Sequence, residues 1–267
     1  MAYPLLLKKL SLGMGTLAIA LSLNGGVVRA DDVDDNLSLI KSEIMQKSDV
    51  DFDQYLTNFV EEAKKDSKDL NEIKSELSDL GIEFNAAPVT ENPIGIFSNL
   101  PSDVTLTAYS ARRGGEAYYR LYGSLTMNNS MTGDQGSLDL LSIEWDPKLA
   151  SYYSYADEDN AGYNFTSLMD YNKKDEGGLA FNVEDTRMTK GSYTYAVAYV
   201  VPKAGTSGRY LQYGAKYIHT YDDKGVTWKI NGNVAYEKGV TGGLTLELTP
   251  ASTSKNFSVA SQNAVQL

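Results

Sequence analysis

Hydrophobic positions follow two different periods along the chain. Leu37, Ile40 and Ile44 recur at helical spacing. Phe52, Tyr55, Leu56, Phe59, Val60 and Ala63 mark a second stripe, which Leu70, Ile73, Leu77 and Leu80 continue. Steps of three and four are the signature of an amphipathic helix face. The spacing predicts a short helix over 36–47 and a long one over about 51–80. Asn36 supplies the first N-cap, Ser48, Asp49 and Asp51 supply fresh ones, and Asp66-Ser67 is a weak point in the long helix. Gly81 is placed to stop it in the left-handed conformation. The alternation of three and four also matches a coiled-coil seam. The stripe therefore packs within the chain or drives self-association through residues 36–80.

From Val104 onward the period is two. Strands are expected at 104–110, 116–127, 137–145, 151–155, 178–183, 192–201, 209–221, 226–236 and 244–249, with a short one near 256–260. Arg113-Gly114-Gly115, Thr132-Gly133-Asp134, Asp223-Lys224-Gly225 and Thr241-Gly242-Gly243 punctuate them as turns. In 192–201 one face reads Thr194, Ala196, Ala198 and Val200 and the other Tyr193, Tyr195, Val197 and Tyr199. Both faces are apolar enough to be covered, which predicts a central strand. Nine or ten strands with no long helix between them predict a mainly β fold, an antiparallel β-sandwich preceded by a short acidic helical segment.

Composition divides the chain at the same place. Residues 31–80 hold no Gly or Pro and carry 15 acids against 6 bases; residues 81–267 hold 19 Gly and six Pro. Pro88, Pro93, Gly95 and Pro101 mark a linker over 82–101, so the sandwich is expected to span 102–267 and the helical arm 31–81. Ahead of the arm, Lys8 and Lys9 precede an apolar run from Leu10 to Leu23. Helix breakers at Asn24-Gly25-Gly26 and the small-residue pattern Val28-Arg29-Ala30 follow. Residues 1–30 thus read as a signal peptide, and the mature product as secreted into an extracellular, bacterial setting, free or associated with the cell wall. Cleavage after Ala30 removes three cations and no acid, leaving 21 Lys+Arg against 35 Asp+Glu, a net charge of −14.

The residues absent narrow the chemistry. Zero Cys excludes disulfides, thiolate metal sites and Cys nucleophiles, and a single His leaves little for histidine-based catalysis. His219 sits mid-strand, nothing in the sequence indicates a nucleophile or carboxylate beside it in space, and it reads as structural. A glycosidase needs only paired carboxylates, and Asp139, Glu144, Glu116 and Glu184 are candidates. Asp139 and Glu144 are an odd number apart and would face opposite sides of one strand. No strand–Gly loop–helix unit cradles phosphate, and the acidic balance opposes nucleic acid. Asp157-Glu158-Asp159-Asn160 and Asp222-Asp223 offer oxygens for Ca2+ without matching the EF-hand spacing, so no metal is assigned and no cofactor is expected beyond that weak Ca2+ option. Leu244–Thr249 alternates like a pore-forming strand but is short.

Tyrosine is the distinctive residue: 17 of 19 lie from Tyr109 onward. Tyr fills a sandwich core, and when exposed it stacks on sugar rings or peptide chains. Tyr152, Tyr153 and Tyr155, followed by Asp157, Asp159 and Asn160, form the best candidate contact region, rings beside oxygen ligands on a loop. The expected function is non-catalytic binding or structural work at the cell surface or extracellular matrix, through contact with glycan or protein. A secreted carbohydrate-active hydrolase and a β-pore-forming toxin-like protein are the alternatives.

Overall fold

A computed structural model describes residues 30–86, 101–129, 139–159, 165–169, 174–220, 228–231, 247–250 and 256–267. The expected signal peptide up to Arg29 lies outside them. So do linker residues 87–100, Asn160, Asp222-Asp223 and the turns at 132–134, 223–225 and 241–243. The chain divides into two units after Gly81.

The first unit is helical: α1 (Ala30–Met45), α2 (Asp49–Lys65) and α3 (Leu70–Asp79). Ser48 caps α2 by accepting the Asp51 N–H at 3.2 Å, and Asp49 and Asp51 stand in its first turn with Lys64 and Lys65 in its last, the polarity a helix dipole favours. Phe52, Leu56, Phe59, Val60 and Ala63 of α2 are buried, as are Ile73 and Leu77 of α3. The long helix expected over 51–80 is thus two helices. Ser67 adopts a left-handed φ of 60°, and Asp69 opens α3 with a capping box, its carboxylate accepting the Asn71 and Glu72 N–H groups while Glu72 accepts the Asp69 N–H. Capping satisfies donors that a continuous helix would have paired, so the apolar stripe runs on while the backbone breaks. Gly81, at φ 77°, ends the unit.

The second unit is the β-sandwich. Its strands are β1 (Ile82–Ala86), β2 (Val104–Arg113), β3 (Tyr119–Met127), β4 (Asp139–Trp145), β5 (Ala150–Asp159), β6 (Thr166–Leu168), β7 (Gly178–Val183), β8 (Tyr193–Pro202), β9 (Tyr210–Thr220), β10 (Trp228–Asn231), β11 (Glu247–Pro250) and β12 (Asn256–Gln266). All pairings are antiparallel. One sheet has the order β1-β2-β3-β8-β5, the other β12-β9-β4-β7-β6, and β10-β11 form a separate pair. Residues 82–86, read as the start of the linker, are instead the edge strand β1, with Ile82 and Phe84 buried. The last strand runs eleven residues along β9, beyond the short stretch expected.

The two inner faces complement each other. The first sheet contributes small residues at its centre, Ala108, Gly123, Ala196 and Ala198, and the second contributes Leu141, Ile143, Trp145, Phe181 and Tyr217. β8 lies between β3 and β5 and is buried on both faces, as its double apolar pattern requires. Along one side, side chains tie the sheets together. The described β1–β2 register ends at Ala86 and Tyr109, and one residue further along β2 the Ala108 N–H donates to Ser261 Oγ of β12 at 2.9 Å. Tyr213 and Asn263 both donate to the Asn85 carbonyl at 3.2 Å, and Tyr119 donates to the Gln266 carbonyl at 3.2 Å.

Candidate functional site

The tyrosines chosen from the sequence lie on an edge strand, β5, which runs on through Asp157 and Asp159, residues expected on a loop. Among the described residues β5 pairs with β8 alone, and its register shifts between Tyr152 and Ser154, leaving Tyr153 bulged out of the ladder. A bulge inserts one residue and breaks strict alternation. Tyr152 and Tyr155 therefore share a face although they are three apart: they stand opposite Val200 and Ala198, both core residues. Tyr152 packs against the core beneath Lys174, whose Nζ lies 4.9 Å from the ring centroid. Tyr155 tilts against Phe181 at 6.2 Å and stays 38% exposed.

Tyr153 turns the other way. Its ring is 59% exposed and stacks on Tyr118 at 5.3 Å, which in turn stacks on Tyr199 at 5.5 Å. The Arg120 guanidinium sits over both inner rings, 4.9 Å from Tyr118 and 5.4 Å from Tyr199. Beneath this row Glu116 accepts from Arg113, Tyr118 and Arg120. Burial alone would raise the Glu116 carboxyl, but the hydrogen bonds and charge of Arg120, with the bonds of Arg113, outweigh it and hold the group below the usual carboxylate range. The result is an exposed ring on a charge-braced stack that runs from half-buried Tyr118 to buried Tyr199. The expected cluster is split: the bulge sends Tyr153 to one face and Tyr152 and Tyr155 to the other. Of the acidic residues beside them, Asp157 is half-buried and pairs with Ala196, Asp159 pairs with Thr194, and Asn160 lies outside the described residues.

A second constellation escaped the sequence reading. Asp139 opens β4, Asp185 sits in the 3-10 turn just past β7, and His219 is near the end of β9. β4 runs antiparallel to both neighbours, so its start meets their ends. The β4–β9 register pairs Leu140 with Ile218, which sets Asp139 opposite His219. Asp139 Oδ2 lies 2.8 Å from His219 Nδ1 and also accepts the Tyr217 hydroxyl, while Oδ1 accepts the Thr220 N–H at 2.9 Å. Asp185 Oδ2 lies 3.2 Å from the same Nδ1. The two carboxylates compete for that one N–H, and among the described residues Asp185 Oδ1 has no hydrogen-bond donor beside it. Burial pushes the Asp139 carboxyl up to about 6 against the hydrogen bond and charge of His219. Burial also works against the charged imidazole, but its bonds to Asp139 and Asp185 and the charge of both carboxylates hold His219 up at about 9. All three side chains are almost fully buried, so no substrate reaches them as they stand.

The remaining carboxylates do not pair. Glu144 is buried on the face away from Asp139 and accepts the Ser142 hydroxyl at 2.9 Å. Glu116 is bound to arginines, and Glu184 pairs with Arg187 at 2.6 Å on the surface. Among the described residues no helix is long and apolar enough to cross a membrane.

No protein-family model matches the chain, and no curated protein matches it. Among solved structures it is similar to a protein of the Streptococcus parasanguinis Fap1 fimbriae, at 9% identity and TM-score 0.33, over 69% of this chain and 94% of that one. It is also similar to the sixth cohesin of Acetivibrio cellulolyticus scaffoldin B, at 15% identity and TM-score 0.28, over 52% and 86%. A third similarity is to the membrane-inserted form of the Clostridium perfringens NetB toxin, at 6% identity and TM-score 0.29, over 69% and 96%. Likenesses this weak carry no argument about activity, and the sandwich assignment rests on the chain's own sheet topology.

Proposed function

We propose that the chain is an exported, non-catalytic binding protein that contacts extracellular glycan or protein through its tyrosines. The observation that carries the reading is Tyr153: more than half exposed, yet held by stacking on Tyr118 and through it on Tyr199 and Arg120. An exposed ring that is already ordered loses little conformational entropy when it binds, the property that makes rigid aromatic anchors effective. Tyr155 presents a second exposed ring on the other side of the same edge strand, so a ligand lying along β5 meets aromatic surface on both flanks. A flat stacking surface suits the apolar face of a sugar ring or an extended peptide. The sandwich interior, by contrast, is filled with side chains, and the carboxylates considered for hydrolysis are paired with cations, bonded to neighbours or enclosed.

The test is retention on bacterial envelope fractions and on a glycan array, with the full chain and its Tyr153→Ala variant compared. Binding by the parent with at least about a tenfold loss in the variant supports the reading. No retention of the parent on any polysaccharide or envelope fraction overturns it, as does equal retention of the variant.

A further inference from the structure

We propose that Asp139, Asp185 and His219 form a site for one divalent transition-metal ion of the Zn2+ type, holding the ends of β4, β7 and β9 together. The three candidate ligand atoms lie within 4.8 Å of one another and come from three separate segments: the start of β4, the 3-10 turn after β7 and the end of β9. Two of the separations are 2.8 and 3.2 Å. Tetrahedral zinc with bonds of about 2.0–2.1 Å places neighbouring ligands about 3.3 Å apart. Both stand within about half an ångström of that value, and the carboxylate–carboxylate separation, as much as 4.8 Å, closes as the ion draws the two oxygens in.

Asp185 is the observation that asks for a ligand. It is wholly buried, among the described residues its Oδ1 meets no hydrogen-bond donor, and its Oδ2 has to share with Asp139 the single Nδ1 of His219 at 3.2 Å. Buried carboxylates are normally paired, hydrogen-bonded or bound to metal. A divalent ion that takes the place of the Nδ1 proton lets both carboxylates and the imidazole bind one centre, so that neither carboxylate has to share a donor, with the proton released to solvent.

The donor set selects the metal. One imidazole nitrogen with two carboxylate oxygens favours Zn2+ or a similar borderline ion over Ca2+, which takes oxygen ligands. Asp139 is already oriented for the task by the Tyr217 hydroxyl and the Thr220 N–H, and His219 is seated against Phe257 with ring centroids 5.0 Å apart. Such outer contacts fix first ligands in metal centres. In a chain without Cys, an ion here does what a disulfide would do elsewhere: it ties together residues 34 to 80 positions apart.

The experiment unfolds the full chain in guanidinium with a chelator, refolds it with or without Zn2+, removes free ion and measures bound metal and thermal stability. The expected result is about one Zn2+ per chain and a raised unfolding midpoint. Asp185→Asn, which keeps the size of the side chain, is expected to lower bound Zn2+ at least tenfold while the near-ultraviolet circular dichroism stays native. A native refolded parent that retains no Zn2+, or an Asp185→Asn variant that retains as much as the parent, overturns the site. If the variant fails to fold, Co2+ in the parent decides. Ligand-field bands of an enclosed site of low coordination number support the proposal, and the spectrum of aqueous Co2+ overturns it.

Discussion

Gly123 on β3 and Ala215 on β9 meet across the sandwich so closely that a methyl group on Gly123 would lie 2.9 Å from the Ala215 Cβ. Leu141 and Ile143 close the space around them at 3.5 and 3.6 Å. The sheets are held together here by the absence of side chains on one of them. Gly123→Ala is therefore expected to destabilise the chain: overpacking costs about 1–3 kcal/mol, against about 0.4–1 kcal/mol returned by a stiffer unfolded chain. Adding Ala215→Gly to that variant removes the clashing atom and is expected to recover part of the loss. Guanidinium midpoints of the two variants measure both effects, and an unchanged midpoint in Gly123→Ala would show that the sheets separate freely at this point.

Two tyrosines on the first sheet should respond in opposite ways to truncation. Tyr122 is fully buried and stacks on Tyr109 with centroids 4.6 Å apart and planes 14° from parallel. Tyr122→Ala is expected to cost about 3–5 kcal/mol of stability, as for other large aromatic deletions. Tyr153→Ala removes an exposed ring from the end of a stack and should cost less than about 1 kcal/mol. The same change should remove most ligand retention. Paired measurement of thermal midpoint and envelope binding separates the two roles, and a large stability loss in Tyr153→Ala would make it a structural residue.

What the sequence made legible depended on how far each signal reached along the chain. Period-two patterning located most of the strands, and Gly81 marked the end of the helices, because both are local. β1 was missed although Ile82 and Phe84 alternate with Glu83, since three residues beside a Pro-rich stretch read equally well as linker. β6 is three residues long and has no period to show. The placement of the candidate tyrosines was not legible. Alternation across Tyr152–Tyr155 assumes a regular strand, and a bulge at Tyr153 reverses the faces. Parity set Asp139 and Glu144 on opposite faces, as observed, but His219 stood apparently alone. Its carboxylates are 80 and 34 positions away, and the β4–β9 pairing that joins Asp139 to it is invisible until strand order is known.

Glu116 makes part of the stability pH-dependent. Its Oε1 accepts from Arg113 Nε at 2.6 Å and Arg120 Nη2 at 3.0 Å, and Arg120 is fully buried. Because the folded carboxyl is held below its unfolded value, the pairing contributes fully above the unfolded pKa of about 4.3 and is lost as pH falls through the lower folded value. Glu116→Gln removes a counter-charge from the buried Arg120 guanidinium and is expected to cost roughly 3 kcal/mol at neutral pH. That difference should shrink progressively as pH falls below the unfolded pKa and through the lower folded one, where the parent's own carboxyl becomes protonated. Urea midpoints of both chains at neutral and acid pH measure it. A gap that stays constant with pH would mean that the glutamate acts by shape and not by charge.

The break between α2 and α3 sets two opposed effects one residue apart from each other. Ser67 holds a left-handed φ of 60°, a region that strains a residue with a Cβ, and the Lys68 N–H donates to the Ala63 carbonyl at 3.0 Å to close the turn. Ser67→Gly relieves the strain and keeps that bond, so it should stabilise the helical segment by about 0.5–1 kcal/mol. Asp69 accepts the Asn71 and Glu72 N–H groups at 2.7 and 2.9 Å, and Asp69→Ala abandons both donors at a cost of about 1 kcal/mol. Because the strain and the cap act on the same turn, the two changes should move amide hydrogen exchange in α3 in opposite directions, by a few-fold slower for Ser67→Gly and about fivefold faster for Asp69→Ala. Exchange read by mass spectrometry on peptides covering 70–80 gives the sign directly. Faster exchange in Ser67→Gly would mean that glycine's freedom in the unfolded chain outweighs the strain, and that the serine is the better residue for this turn.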